Sequence, residues 1–100
     1  MYKSMLGDDE GIVIDALTFI INRHFANSCV IESVKTGRSL IELAETFRPD
    51  IIFMDIQMPG INGIEAMKEI REGNPNTIFI DMSAYDKPGA HRARHLHSIE

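Results

Sequence analysis

The stretch RPDIIFMDIQMPGINGIEAMKEIRE, residues 48–72, carries the pattern on which the predicted fold rests. Four apolar residues at 51–54 lead directly into one acid, Asp55, and a loop with one proline and two glycines follows. Such a run before a turn and a helical pattern is typical of a strand buried in a parallel sheet. A carboxylate at the end of a buried strand is costly unless it is paired, bound or used. Asp55 is therefore the first candidate for a functional residue.

The rest of the chain alternates between strands and helices. Helix 11–25 has apolar residues at helical spacing, and strand 29–34 is rich in β-branched residues. This alternation indicates a parallel sheet covered on both faces by helices, with right-handed crossovers. The predicted strands are residues 2–7, 29–34, 50–55 and 77–84, the predicted helices are 11–25, 38–47 and 63–72, and the apolar positions of the first helix are Ile12, Ala16, Leu17, Ile20 and Ile21.

Composition and charge are those of one ordinary globular domain. The chain has 100 residues, of which 44% are hydrophobic and 25% are charged. No apolar run approaches the length of a membrane span, and the first residues show no secretory pattern, so we expect a cytoplasmic location and no membrane contact. Cys29 is the only cysteine, which fits a reducing compartment. A net charge of −5 makes nucleic-acid binding by this domain an unfavoured hypothesis.

Three acids and one hydroxyl follow the predicted strands. Asp8 and Asp9 come after the first strand, Asp55 ends the third, and Ser83 closes the fourth. Ligand sites in open parallel sheets lie outside the carboxyl ends of the strands, so these side chains could meet there. Clustered carboxylates repel each other, and Mg²⁺ with oxygen ligands would relieve that repulsion. Taken singly, each is more simply a polar loop residue or a helix cap, but the combination favours a site.

At these residues the sequence resembles the receiver domain of bacterial two-component response regulators. The motifs are LGDDE at 6–10, IIFMDIQMPGINGIEAM at 51–67 and MSAYD at 82–86. The pattern D-x-x-M-P-x-x-x-G, beginning at Asp55 and correctly spaced from the other two motifs, makes the resemblance specific. The resemblance implies a flavodoxin-like, three-layer α/β sandwich.

The resemblance also implies a role for each candidate residue. Asp55 would accept a phosphoryl group from a phosphohistidine of a sensor histidine kinase. Asp9 would bind Mg²⁺ directly and Asp8 would assist through water, with Asp55 and the backbone carbonyl of Gln57 as further ligands. Ser83 would hydrogen-bond the phosphoryl oxygens. The implied function is a phosphoacceptor signalling domain with slow self-catalysed transfer, which is a binding module and not a turnover enzyme.

Several residues depart from the family's pattern within the sheet. Ser4 and Gly7 stand where the family has apolar residues in the first strand, and Gly11 stands where proline or another residue is usual. Asp81 lies inside the fourth strand, where an apolar residue belongs. A carboxylate at that position is costly if it is buried without a partner.

A larger departure follows Lys87. The fourth helix, the fifth strand with its phosphate-binding lysine and the fifth helix of a receiver are not found there. The resemblance therefore places a partial receiver domain at residues 1–87, with an incomplete sheet of order 2-1-3-4, and an unrelated basic tail at 88–100. Phosphorylation is expected to be impaired in such a chain, which is truncated by comparison with the family.

The stretch DKPGAHRARHLHSIE, residues 86–100, is predicted to contain no strand. Apolar residues at helical spacing between Ala90 and Ile99 allow a short basic helix instead. His91 and His95 would share a face of that helix and could chelate a transition metal. A solvated basic terminus is the simpler interpretation, because no third ligand joins them at fixed spacing.

Two functions stay open at this point. The first is the phosphoacceptor domain, and the second is an engineered or recombined receiver-derived scaffold or assembly protein without phosphotransfer. In either case the fourth strand, TIFIDMSA, would have an unpaired edge, and one apolar face would be uncovered. A symmetric homodimer is therefore expected, either through antiparallel pairing of fourth strands or through swapping of elements.

Overall fold

The computed structural model describes residues 1–25, 29–58 and 60–82 and a short strand at 97–98. The predicted alternation of strands and helices is confirmed, with boundaries close to those expected. The elements are β1 (Tyr2–Gly7), α1 (Gly11–Phe25), β2 (Cys29–Val34), α2 (Gly37–Phe47), β3 (Ile51–Met54), α3 (Gly63–Gly73), β4 (Ile78–Asp81) and β5 (His97–Ser98). No helix within the described ranges combines the length and the apolar character needed to cross a bilayer.

The first four strands form a parallel sheet in the order β2-β1-β3-β4, as predicted. Backbone hydrogen bonds continue one residue beyond the strands. Asp8 N–H donates to the Val34 carbonyl at 3.2 Å, and Asp55 N–H donates to the Gly7 carbonyl at 2.8 Å. Met82 N–H likewise donates to the Met54 carbonyl at 2.8 Å. The residues that follow β1, β3 and β4 therefore lie level with each other at the carboxyl ends of the strands.

A fifth strand, β5, pairs with β4, and the sequence did not predict it. His97–Ser98 runs antiparallel to β4, with Asp81 opposite His97 and Ile80 opposite Ser98. The expectations of a strandless tail and of a wholly unpaired β4 edge were therefore wrong. Unpaired N–H and C=O groups at a sheet edge can pair with any extended segment, including one from the same chain. Two residues are too few to show a strand's apolar alternation, so this pairing could not be predicted from periodicity.

Helices cover both faces of the sheet. α2 and α3 pack over the larger core cluster, which contains Met5, Ile52 and Phe79. α1 covers the other face through a smaller cluster, Leu6, Ile14 and Ile21. Three of the five apolar positions that identified α1 in the sequence, Ile12, Ala16 and Ile20, are instead exposed.

Asp81 is half-buried in β4, level with Met54, and it has an interaction partner. The chain thus avoids a fully buried carboxylate at this position. The tail helix predicted between Ala90 and Ile99 does not extend over 97–98, which form a strand. The remainder of that helix, the pair His91 and His95, and Ser83 lie outside the described residues.

Candidate acidic site at the carboxyl edge of the sheet

Three carboxylates meet where β1 and β3 end. Asp8, Asp9 and Asp55 each place one carboxylate oxygen within 4.8 Å of the other two. Asp8 and Asp55 are buried at 0% and 1% exposure, whereas Asp9 is exposed. The cluster therefore combines two buried acids with one acid that is exposed to solvent. It unites the three acids that the sequence identified separately.

The two buried acids, Asp8 and Asp55, are held by the same kind of hydrogen-bonded turn. Asp8 Oδ1 accepts a hydrogen bond from the Glu10 N–H at 2.8 Å, and Asp55 Oδ1 accepts one from the Gln57 N–H at 2.9 Å. Each carboxylate thus closes an Asx turn onto the residue two positions later. The backbone N–H of each acid is bound to a neighbouring strand, so both ends of the residue are fixed. These local hydrogen bonds orient both carboxylates from within their own turns.

The loop after Asp55 is fastened to the core at Met58 and at Gly63. Met58 is buried in the α2–α3 cluster. Gly63 N–H donates to the Ile56 carbonyl at 3.0 Å, and a Cβ atom at Gly63 would lie 2.5 Å from the Ile56 Cα. Only glycine permits that approach, since the obstacle is backbone. The spacing of the motif therefore encodes a loop held at both ends.

The start of α3 is fixed by two further residues of this loop. Gly60 has φ of 88°, in the left-handed region that favours glycine. Asn62 caps α3, and its Oδ1 accepts a hydrogen bond from the Ile64 N–H at 2.7 Å. The sequence motif showed these residues, but it did not show which contacts they make. The loop geometry holds Gln57 beside Asp55.

The remaining predicted site residues are Gln57 and Ser83. Gln57 lies in the turn that follows Asp55, with an exposed side chain. Its carbonyl as a metal ligand stays a prediction. Ser83 directly follows Met82, whose backbone is bound to the residue before Asp55, and the placement of Ser83 itself lies outside the described residues. Its role as a phosphate-binding residue also stays a prediction.

The donor set fits a hard divalent cation. Three carboxylate oxygens from adjacent strands, with one acid on the solvent side, match the oxygen ligands that Mg²⁺ prefers. Mg²⁺ commonly binds through one or two carboxylates and keeps water or phosphate oxygens in its other positions. Asp9 is exposed, so the cluster is in contact with solvent that could supply such ligands. An acidic cluster suited to Mg²⁺ is therefore present in this fold.

Comparison with known proteins identifies related chains. Residues 5–97 match the family model described as the response regulator receiver domain, and this match continues past Lys87, so the boundary between domain and tail stays a prediction. The uncharacterized transcriptional regulatory protein YxjL of Bacillus subtilis is 36% identical over 81 residues, which is 81% of this chain and 37% of that protein. The chain spans well under half the length of the first curated relatives that it matches.

Solved structures share the architecture. The response regulator domain of Thermotoga maritima CheB superposes with a TM-score of 0.74 at 30% identity, covering 94% of this chain and 69% of that one. A second match is a chain from the complex of histidine kinase ThkA with response regulator protein TrrA (TM1359 and TM1360). It gives a TM-score of 0.73 at 24% identity over 93% of this chain and 80% of that one. The second likeness concerns the fold alone.

Proposed function

Because the chain belongs to the response regulator receiver domain family of two-component signalling, we propose that it accepts a phosphoryl group on Asp55. One observation carries the assignment: Asp55 lies with Asp8 and Asp9 in a single cluster of carboxylates at the ends of β1 and β3. The alternative of a scaffold without phosphotransfer is not favoured, because the family match spans residues 5–97 and the three acids lie together.

The proposed reaction is an attack by an Asp55 carboxylate oxygen on the phosphorus of a phosphohistidine. The new P–O bond forms as the P–N bond breaks, and the departing imidazole nitrogen keeps the electron pair and takes up a proton. The Gln57 N–H orients the carboxylate by holding Oδ1. Asp55 is buried and Asp9 is exposed, so a phosphodonor would approach from the side of Asp9. The chain's own contribution is thus positioning more than covalent chemistry.

Asp8, Asp9, Asp55 and the Gln57 carbonyl are the groups that would hold Mg²⁺. When bound, the ion supplies positive charge to the pocket and to the phosphoryl oxygens. Ser83 would contact the phosphoryl group from the end of β4. The proposed partner is a sensor histidine kinase in the cytoplasm, and the fold of TrrA, which is known in complex with histidine kinase ThkA, supports this choice. The chain would be modified once per cycle and would not act as a turnover enzyme.

Labelling with a small phosphodonor tests the assignment. The chain is incubated with acetyl phosphate and Mg²⁺, and intact-mass spectrometry is followed by mapping of the modified peptide. We expect slow labelling by one phosphoryl group on Asp55, in keeping with the impaired phosphorylation expected from the sequence, and none after Asp55→Asn or in the presence of EDTA. Asp15→Asn is a matched control, because Asp15 is an exposed acid on α1 outside the cluster. Labelling that persists in Asp55→Asn would contradict the proposal.

A further inference from the structure

The outer face of α1 carries an apolar stripe that faces solvent. Ile12, Phe19 and Ile20 are 76%, 64% and 49% exposed, and Ala16 between them is also exposed. Their spacing follows successive turns of the helix, so they lie along one side. Scattered exposed apolar residues are normal, but a contiguous row of them on one helix marks a contact surface. We call these four residues the α1 outer stripe.

The same helix already uses its opposite side for the core. Ile14 and Ile21 are buried against the sheet, with Leu17 half-buried between them. α1 is therefore apolar on two opposite sides, which is typical of a helix covered on both. The described part of the chain covers only the inner side, since the outer stripe remains exposed. The outer side is therefore available to a second apolar surface.

Charges along α1 make this surface complementary to itself. Asp15 and Arg23 are both exposed and stand four residues before and four residues after Phe19. The helix ends with Arg23 and His24 in its last turn, and acids precede its first turn. If two copies of α1 pack antiparallel with the axis at Phe19, each Asp15 faces Arg23 of the partner subunit. Antiparallel packing also places opposite ends of the two helix dipoles side by side.

We propose that a second copy of this chain covers the α1 outer stripe, through a two-fold symmetric, antiparallel contact of α1 with α1 centred on Phe19. A two-fold interface uses the same patch on both subunits, which a self-complementary stripe satisfies. This surface replaces the β4 edge expected from the sequence, since the last two residues of that edge are paired with β5. The proposal is independent of phosphorylation, because none of its residues belongs to the acidic site.

The size of the stripe sets the strength of the contact. An aromatic side chain such as Phe19 contributes about 150–250 Å² when fully buried, the other three side chains of the stripe are smaller, and only part of each is available. One helix face therefore falls below the roughly 800 Å² per subunit of a standard stable interface. We expect a weak dimer that forms at tens of micromolar and dissociates on dilution.

Sedimentation of the whole chain across a concentration series tests the surface. The wild-type chain should dimerise, and Phe19→Asp should weaken dimerisation at least about tenfold, as expected for a central apolar anchor. Phe19 is largely exposed, so this variant should keep its cooperative unfolding. Val30→Asp is the matched control, since Val30 is an exposed apolar residue of β2 beside Lys3. A chain that is monomeric at all concentrations, or a dimer that tolerates Phe19→Asp, would overturn the proposal.

Charge reversal tests the antiparallel register. Asp15→Arg gives a chain with two basic positions, and Arg23→Asp gives a chain with two acidic ones, so each should self-associate several-fold less than wild type. A mixture of the two variants restores an opposite-charge pair at both contacts and should recover the dimer. The combined variant with both changes in one chain should also recover it. Failure of both the mixture and the combined variant to recover would overturn the antiparallel arrangement.

Discussion

Asp55 shows why a buried strand can end on a carboxylate. Its Oδ1 is satisfied by the Gln57 N–H, and its backbone is bound to Gly7 in the neighbouring strand. Asp8 is fixed in the same way by Glu10. The local hydrogen bonds thus offset part of the cost of burial, while the proximity of three acids leaves a repulsion that a bound cation would remove.

Replacing one buried acid by its amide should therefore stabilise the metal-free chain. Asp55→Asn removes a negative charge and keeps an oxygen that can accept the Gln57 hydrogen bond. At 4–5 Å and an effective dielectric constant of about 20, each like-charge contact is worth roughly 3–4 kcal/mol as an upper bound, so we expect a gain of about 1–3 kcal/mol in EDTA. Urea denaturation measures it, and a loss of stability would show that Asp55 is favourably paired within the cluster.

Metal binding should depend on the exposed acid. Asp9→Ala removes the acid on the open side of the pocket, where burial is small, so stability without metal should change by less than about 0.5 kcal/mol. Millimolar Mg²⁺ should shift the amide resonances around Asp55 in the wild-type chain and leave them unchanged in this variant. Asp15→Ala, which removes another exposed acid of α1, should respond as wild type does. A response that survives in Asp9→Ala would place the metal elsewhere.

The helices and strands were predicted correctly where the apolar residues of the sequence are periodic. Strand and helix positions and the parallel sheet followed from apolar runs and spacing, as at 51–54, whereas the strand order followed from the resemblance to receiver domains. The inward face of α1 did not follow, because this helix has apolar residues on two sides and the sequence holds no record of which side meets the sheet. The two-residue β5 has no internal pattern at all. The carboxylate cluster was predictable from strand ends, whereas its Asx turns and the Gly63 contact needed coordinates.

The two glycines of α3 give a direct test of that loop contact. A Cβ atom at Gly63 would meet Ile56 backbone atoms at 2.5–2.9 Å, whereas nothing lies within 4 Å of a Cβ atom at Gly73. Gly73→Ala should raise the free energy of unfolding by about 0.5–1 kcal/mol through helix propensity and a less flexible unfolded chain. Gly63→Ala should lower it by roughly 2 kcal/mol or more. Thermal unfolding of both variants measures the contrast, and equal stability of the two would show that the α3–loop contact is not tight.

Hydrogen bonds connect β1, β3 and β4 at their amino ends, which lie opposite the acidic site. Lys3 and Asp50 exchange two bonds there, from Lys3 N–H to Asp50 Oδ2 and from Asp50 N–H to the Lys3 carbonyl, both at 2.8 Å. Ile78 N–H donates to the Asp50 carbonyl at 3.0 Å, and the Thr77 hydroxyl donates to the Pro49 carbonyl at 2.7 Å. The segment before β3 therefore connects β1 and β4. The acidic site lies at the carboxyl ends of the strands. The hydrogen bonds that stabilise the sheet and the residues proposed to bind Mg²⁺ are therefore at opposite ends of the strands.

Thr77→Val tests this separation. Thr77 is buried, and valine keeps the shape while leaving the Pro49 carbonyl without its donor, so we expect a loss of about 1–2 kcal/mol. Thr77→Ser keeps the hydroxyl and should lose less. The urea midpoint should fall without a change in slope, and the Mg²⁺ response should stay as in wild type.

Substitutions at the amino ends and at the carboxyl ends of the strands should also change the free energy of unfolding independently of each other. Sites that share no contact usually add within about 0.3–0.5 kcal/mol. The loss from Thr77→Val and the gain from Asp55→Asn should therefore sum in the double variant, measured by urea denaturation in EDTA. A coupling well above that limit would mean that strain at the amino ends of β3 and β4 reaches the carboxylates at their carboxyl ends. The packing of the sheet would then affect the stability of the acidic site, because the short strands Ile51–Met54 and Ile78–Asp81 run from one end to the other.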